Sequence, residues 1–263
     1  MFFAGIDIGS RGAKAVILED GAILSSFIGD TGPESAETAV MAFTECAKGP
    51  GLKKEDMDYI VATGYGRVSV PFAQDNVSEI SCHAKGAQWH LPSVRTILDM
   101  GGQDCKAINC NEKGQVTKFI MNDKCAGGTG RFLELIADVL ELKLVDIGGT
   151  ALSSTTDIPF NTVCAVFAKS EALGLLKRGT LKSDILNGLH DAIAIRCHNL
   201  LKRVNIETDF TITGGIAKNS GMVSKIKDKV GLEPILAPDP QIMGALGAAI
   251  FAREKYLRKQ KAD

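Results

Sequence analysis

The sequence predicts an α/β protein made of two similar halves, and three observations carry that reading. Over its 263 residues the chain twice runs through three short apolar segments and then into a helical pattern. Each run opens with a strand ending in Asp-x-Gly, first at Asp7-Ile8-Gly9 and again at Asp99-Met100-Gly101. Much of the glycine, 28 residues, falls where apolar runs meet polar turns, as strand meanders require. An internal duplication of this kind places the two aspartate turns opposite each other across a cleft. The boundary falls near residues 92–95, giving halves of 1–94 and 95–263, with the C-terminal helix packing near the join.

The elements follow in order. Residues 3–8, 12–18 and 23–28 read as a strand meander, and 34–48 as a helix with Ala39, Phe43 and Ala47 at i, i+4 spacing. Residues 59–63 form a strand, 78–89 a helix, and Pro92 marks the join. The pattern restarts with strands at 95–100, 106–110 and 117–121. Helices follow near 129–141, 163–178 and 183–204, then a strand at 209–213, a helix at 219–230, a strand at 233–236 and a final helix at 241–258. The polar tail to Asp263 reads as frayed.

Composition narrows the function. A hydrophobic fraction of 45% fills a sizeable core, and a net charge of −1 gives no footprint for nucleic acid or an acidic membrane surface. No apolar run approaches the ~18 residues of a membrane span. The start, Met1-Phe2-Phe3-Ala4-Gly5-Ile6-Asp7, lacks the basic region of a secretory signal. Seven cysteines without such a signal argue for a reducing cytoplasm, and no CxxC pair offers zinc or ferredoxin spacing.

Three glycine turns carry nucleotide chemistry. Asp7-Ile8-Gly9-Ser10-Arg11-Gly12-Ala13-Lys14 joins two strands; its backbone N–H groups can approach phosphate oxygens, Asp7 can hold Mg²⁺ directly or through water, and Lys14 offers a phosphate a point charge. It is not a P-loop, because GxxxxGK[ST] is missing. Asp99-Met100-Gly101-Gly102-Gln103-Asp104 repeats the idea, and opposite the first turn it would sandwich the β- and γ-phosphates, with Asp99 or Gln103 orienting the attacking water. In Thr213-Gly214-Gly215-Ile216-Ala217-Lys218-Asn219 the glycines let an adenosine lie against the backbone. One such turn is common; three in this order are specific.

Two cysteines carry the rest. Cys125 in Asn122-Asp123-Lys124-Cys125-Ala126-Gly127-Gly128-Thr129-Gly130-Arg131 and Cys164 in Asn161-Thr162-Val163-Cys164-Ala165-Val166-Phe167-Ala168 each precede a helical stretch, whose free N–H groups stabilise a thiolate. Two thiolates are too few for a four-thiolate iron–sulfur site, and two copies of the chain supply four. Burial as two core cysteines is the alternative. Cys105 and Cys110, five apart, face opposite sides of one strand, and Cys46 and Cys197 read as core. Cys82-His83 reads as part of a packed helix near the domain join, and His90, His190 and His198 show no ligand spacing. Gly244-Ala245-Leu246-Gly247-Ala248-Ala249 reads as close helix packing near the nucleotide.

The order and content of the three turns resemble the acetate and sugar kinase/Hsp70/actin superfamily, which implies two duplicated actin-like, Hsp70-like ATPase domains. Ala62-Thr63-Gly64-Tyr65-Gly66-Arg67, Ser78-Glu79-Ile80-Ser81-Cys82-His83-Ala84, the Asp99 turn and the run from Met121 to Phe132 resemble the BadF/BadG-type ATPases. Within that family the likeness is to the activator component of the 2-hydroxyacyl-CoA dehydratases, over roughly residues 3–252.

The resemblance implies a homodimer with one 4Fe–4S cluster at its interface, each subunit giving two cysteines, here Cys125 and Cys164. It implies Mg·ATP contacts at 9–14, 101–106 (Lys106 included) and 214–219. It further implies one-electron transfer at low potential to an iron–sulfur dehydratase or related reductase, with ferredoxin or flavodoxin as the electron source. Closure around ATP would rotate the domains and change the angle between the cluster-bearing helices. An uphill step of a few hundred millivolts needs such coupling, since about 59 mV is a tenfold change for one electron. Two departures stand out: Ala126-Gly127-Gly128-Thr129-Gly130 has glycine where some relatives have alanine, and Arg11 replaces a common Thr or Ser. Three alternatives stay open: a reductase of a double-cubane protein or of benzoyl-CoA reductase, a small-molecule kinase, and a nucleotide-binding redox sensor.

Overall fold

A computed structural model describes residues 1–122, 128–160 and 164–262. The first sheet is laid down by β1 (Phe2–Ile8), β2 (Gly12–Glu19) and β3 (Ala22–Asp30), an antiparallel meander, with β4 (Tyr59–Thr63) and the short β5 (Asp75–Asn76) added in parallel to give the order β3-β2-β1-β4-β5. The second repeats the plan. β6 (Thr96–Met100), β7 (Cys105–Cys110) and β8 (Val116–Asn122) form the meander, and β9 (Phe210–Thr213) pairs in parallel with β6, giving β8-β7-β6-β9.

β1 is apolar on both faces because both are covered. Ala4, Ile6 and Ile8 pack on Ala39, Ala42, Phe43 and Cys46 of α1 (Ser35–Lys48). Phe3 on the other face meets Ala245, Leu246 and Ala249 of α8 (Met243–Lys259), so the C-terminal helix returns to the first sheet. Gly5 makes that approach possible, since a Cβ there would run into the carbonyl of Ala245.

Helix α2 (Glu79–His90) links the two sheets. Cys82 packs with α8 on the first core, while Ala84 and Ala87 pack with Ile97, Ile108 and Cys110 of the second sheet. Gly86 and Gly247 let α2 and α8 cross backbone to backbone: a Cβ on either would collide with a carbonyl of the other helix. The opposite face of the second sheet is buried under α3 (Gly130–Val139), α4 (Ile147–Leu152), α5 (Ala165–Lys177), α6 (Lys182–Val204) and α7 (Ser220–Val230).

The strand expected at 233–236 does not form. Pro234, Pro238 and Pro240 remove backbone donors. The segment runs beside β9 with the Ile235 N–H donating to the Phe210 carbonyl (2.9 Å) and the Thr211 hydroxyl donating to the Ile235 carbonyl (2.5 Å), and no ladder develops. Helix α4 was not anticipated, since Gly148-Gly149 interrupts its apolar pattern. Cys105 and Cys110 do face opposite sides of β7, in different cores, and Cys46 and Cys197 are buried. Among the described residues no helix is long and apolar enough to cross a membrane.

Candidate functional site

The two aspartate turns are built alike and meet. In the first hairpin Asp7 stands in register with Lys14, whose Nζ lies 3.3 Å from Asp7 Oδ2. In the second, Asp99 stands in register with Lys106, Nζ to Oδ2 3.4 Å. The turns close the same way: the Gly9 N–H donates to the Gly12 carbonyl (3.1 Å) and the Gly101 N–H to the Asp104 carbonyl (3.0 Å). Thr31 clamps the first turn, its hydroxyl donating to the Gly9 carbonyl at 2.8 Å.

Beside each aspartate runs the parallel strand, with Thr63 in register with Asp7 and Thr213 with Asp99. A glycine at φ +85° follows each threonine, Gly64 and Gly214. A Cβ would stand 2.5 Å from Asp7 Oδ1 in one case and 3.1 Å from Asp99 Oδ1 in the other. Both positions need the left-handed backbone and the missing side chain.

The turns touch across the cleft. A Cβ on Gly102 would meet Cβ of Arg11 at 2.9 Å and Oγ of Ser10 at 3.1 Å. Arg11, which the sequence left without a partner, makes a two-point ion pair with Glu134 of α3, Nε to Oε1 3.1 Å and Nη2 to Oε2 2.8 Å. Helix α3 is itself seated on the second turn, with Gly130 N–H donating to the Gly101 carbonyl and Arg131 N–H to the Gly102 carbonyl, each at 2.9 Å. The Tyr65 hydroxyl crosses from the first half to donate to Asp104 Oδ2 at 2.8 Å; desolvation first, then this contact, pushes its pKa up to about 12.

Asp99 is the most constrained of these groups. It is 3% exposed; Thr213 Oγ1 donates to its Oδ1 at 3.0 Å, and Nδ1 of His83 lies 3.3 Å from the same oxygen. Burial alone would raise its carboxyl pKa, but His83, Lys106, the Thr213 hydroxyl and Lys14 outweigh burial and hold it below the ordinary value. Desolvation pulls Lys106 down, yet Asp99 and Asp104 (2.6 Å) win and hold its ammonium above the usual range.

The remaining expected residues are less tightly drawn in. Gln103 is exposed at the tip of the second turn, and Ala13 is buried within β2, offering only its backbone. Gly215 is exposed and Ala217 buried, while Lys218 pairs with Asp239 at 3.3 Å. The Asn219 side chain caps α7, accepting from the Met222 N–H at 2.9 Å, and reaches Nε2 of His190. Cys164 is the exposed N-cap residue of α5, its carbonyl accepting the Ala168 N–H at 2.8 Å. Cys125 lies outside the described residues. Among the described residues no three His, Cys, Asp or Glu side chains of one chain are grouped to hold a metal ion. Sequence reasoning missed Tyr65 and Glu134 as parts of this site, gave Thr213 only as the start of the third turn and not as a partner of Asp99, and set His83 aside as helix packing. Tyr65 and His83 lie in quoted motifs, and the Asp-to-Lys spacing of seven in both hairpins was the available signal of their equivalence.

A profile of the BadF/BadG/BcrA/BcrD ATPase family matches residues 4–252. The chain belongs to this family. Within it, the chain is 43% identical to the activator of lactoyl-CoA dehydratase from Anaerotignum propionicum, over 98% of this chain and 100% of that one. Two solved structures of the same kind superpose closely. Component A of the (R)-2-hydroxyglutaryl-CoA dehydratase from Acidaminococcus fermentans gives a TM-score of 0.94 at 40% identity, covering 98% of this chain and 99% of that one. The activator of the 2-hydroxyisocaproyl-CoA dehydratase from Clostridium difficile, solved with bound ADPNP, gives 0.95 at 36% identity, covering 100% and 98%. The fold of this BadF/BadG/BcrA/BcrD ATPase is therefore the actin-like one of those activators, with the duplicated turns at its centre.

Proposed function

We propose that this chain is an ATP-driven one-electron donor that activates a 2-hydroxyacyl-CoA dehydratase. The observation that carries the reading is the end-to-end likeness to activators of such dehydratases, one of them solved with an ATP analogue. Lys14 and Lys106 supply positive charge for the β- and γ-phosphates, and the backbone N–H groups of the two turns approach them. Asp7 holds Mg²⁺ in this reading, directly or through water. Asp99 orients the attacking water; its fixed carboxylate suits that task better than the exposed Gln103. Gly214 and Gly215 leave room for the adenosine.

The chain works as a homodimer in which Cys125 and Cys164 of each protomer hold one shared 4Fe–4S cluster. The exposed Cys164 thiol at the head of α5 fits a cysteine ligand that must reach a second copy. When bound, the cluster carries the single electron at low potential, received from a ferredoxin or flavodoxin and given to the iron–sulfur dehydratase. The halves 1–94 and 95–263, the latter returning α8 to the first sheet, act as two jaws that ATP closes. Because α3 is seated on the second turn and ion-paired to the first, closure is transmitted toward the cysteine-bearing segments.

Anaerobic purification tests the reading. We expect a brown protein with about four irons per dimer, colourless after Cys125→Ala or Cys164→Ala. We also expect electron delivery to an iron–sulfur acceptor that stops without ATP. Wild type that carries no iron even after reconstitution, or delivery that runs equally well without nucleotide, overturns it.

A further inference from the structure

The two halves share one frame around their aspartates but not every partner: Asp104 stands where the first turn has Gly12, and among the described residues the Thr63 hydroxyl, unlike that of Thr213, bonds no carboxylate. Asp7 and Asp99 each have the facing lysine, the threonine in register and the φ +85° glycine. Only Asp99 also receives a histidine. Among the described residues, Lys14 is the one ionic partner of Asp7 within 4 Å, whereas Asp99 has Lys106 and, in addition, Nδ1 of His83 at 3.3 Å. The histidine comes from the other half of the molecule, on helix α2, and is 7% exposed.

We propose that His83 is a positioning residue for ATP hydrolysis, fixing the Asp99 carboxylate so that it holds the attacking water in one direction. The inference rests on the nucleotide-hydrolysing reading above. The hydrogen bonds define its form. A carboxylate only accepts, so the Thr213 hydroxyl spends its hydrogen on Asp99 Oδ1. The lone pair of Thr213 Oγ1 then receives a hydrogen from His83 Nδ1, 3.1 Å away, which assigns the ring hydrogen to Nδ1. Thr213, backed by the His83 ring, holds Oδ1 of Asp99 while Lys106 holds Oδ2. A carboxylate gripped at both oxygens does not turn about its last bond, and a water bound to it is aimed in advance.

His83 is itself held by construction. Its helix starts at a Ser78 cap, which accepts the Ser81 N–H at 3.2 Å, and is locked by the crossing with α8 at Gly86 and Gly247. Its far edge abuts the start of α8, where a Cβ on Gly244 would stand 2.9 Å from Nε2 and 3.0 Å from Asp7 Oδ2. The ring thus stands between the two nucleotide aspartates. The broken duplication divides their labour: Asp7, without the histidine, is left for Mg²⁺, and Asp99, with it, for water.

The test compares His83→Ala, His83→Asn and His83→Gln in the full-length protein. Asparagine carries an N–H donor to the reach of Nδ1; glutamine carries one to the reach of Nε2. Phosphate release from Mg·ATP gives kcat and KM, calorimetry with ADPNP gives Kd, and thermal unfolding gives Tm. We expect alanine and glutamine to lower kcat by about a hundredfold with Kd within about threefold of wild type, and asparagine to stay within about tenfold of wild-type kcat. Where the alanine variant does not fold, the asparagine–glutamine contrast decides. An alanine variant with kcat within about twofold of wild type overturns the proposal. So do asparagine and glutamine variants that fall equally, or losses of kcat and ADPNP affinity that track Tm together. Wild type that binds but does not hydrolyse ATP overturns both this inference and the reading beneath it; active wild type with unchanged variants overturns this one alone.

Discussion

Asp7 and Asp99 hold the same place in two separate hairpins. Each is the next-to-last residue of the first strand of its sheet, each faces a lysine seven residues further on, and each is bordered by a threonine and a left-handed glycine from the parallel neighbour. A cation, a hydroxyl and open backbone around a buried carboxylate suit a metal–phosphate group. The pairing of two such units across one cleft is the physical reason to expect nucleotide binding.

Replacing Asp99 tests its share of the chemistry. In Asp99→Asn the volume is kept, but Lys106, 2% exposed, is left, among the described residues, with Asp104 as its one ion-paired carboxylate. We expect kcat for ATP hydrolysis to fall at least about a hundredfold. Stability should drop by about 2 kcal/mol, less than when a buried pair is broken outright, because Asp104 remains. A carboxyl held below its ordinary value stabilises the fold above that value and loses the contribution as pH falls through the lowered one. Wild type should therefore weaken below about pH 4 more steeply than the variant, as denaturant titrations will read.

Gly64→Ala probes the glycine frame. A methyl there meets Asp7 Oδ1 and the Ile8 carbonyl, at a φ that disfavours side chains. Gly231 shares the left-handed φ, at +75°, but has no atom within 4 Å of its Cβ position. We expect Gly231→Ala to cost about 1 kcal/mol from backbone strain alone, and Gly64→Ala at least about 2 kcal/mol more, with ADPNP binding lost. Equal costs for the two variants in urea unfolding would mean that the close approach to Asp7 is not real.

The duplication was legible because it is local: a strand, an aspartate, a glycine turn and a second strand within about a dozen residues leave a pattern in sequence. The opposite faces of Cys105 and Cys110 were legible for the same reason, strand periodicity being fixed. The contacts that join the halves were not. His83 lies 16 residues before Asp99 and 130 before Thr213, and Glu134 lies 123 after Arg11, so no window of sequence contains both partners. The segment at 233–236 misled because its β-forming Ile235 sits among prolines, and the lack of donors outweighed propensity. Helix α4 was hidden by Gly148 and Gly149, and it forms by packing: a Cβ on Gly148 would stand 2.5 Å from Asn219 Oδ1.

The Arg11–Glu134 pair is geometrically good but half exposed at the arginine, so its worth is set by solvent. A double-mutant cycle with Arg11→Ala and Glu134→Ala, read by denaturant unfolding, should give a coupling of about 0.5–1 kcal/mol at low salt. The coupling should largely vanish in about 1 M salt, where screening lengths shrink to a few ångströms. A coupling unchanged by salt would point to packing of α3 on the turn as the real source.

We expect His190 to make the third turn sensitive to pH. It is fully buried on α6, its Nδ1–H donating to the Leu186 carbonyl at 2.6 Å. Its Nε2 must then accept, and Asn219 Nδ2 donates to it at 3.1 Å while Asn219 Oδ1 is taken by the Met222 N–H. A proton on Nε2 would set donor against donor at the residue that caps α7. Burial first, and then nearby Lys225, lower the histidine pKa from 6.5, and the hydrogen bonds do not reverse this. A group with a lowered folded pKa binds its proton more readily unfolded. Its stabilising contribution is therefore present above 6.5 and is lost as pH falls below it toward the folded value. We expect urea stability of wild type to decline from about pH 6.5 downward, with this residue contributing up to about 1.4 kcal/mol per pH unit. In His190→Gln that share of the slope should disappear, because an amide caps Asn219 without titrating. Identical slopes in the two proteins between about pH 7.5 and 5.5 would show that the buried ring is not the group responsible.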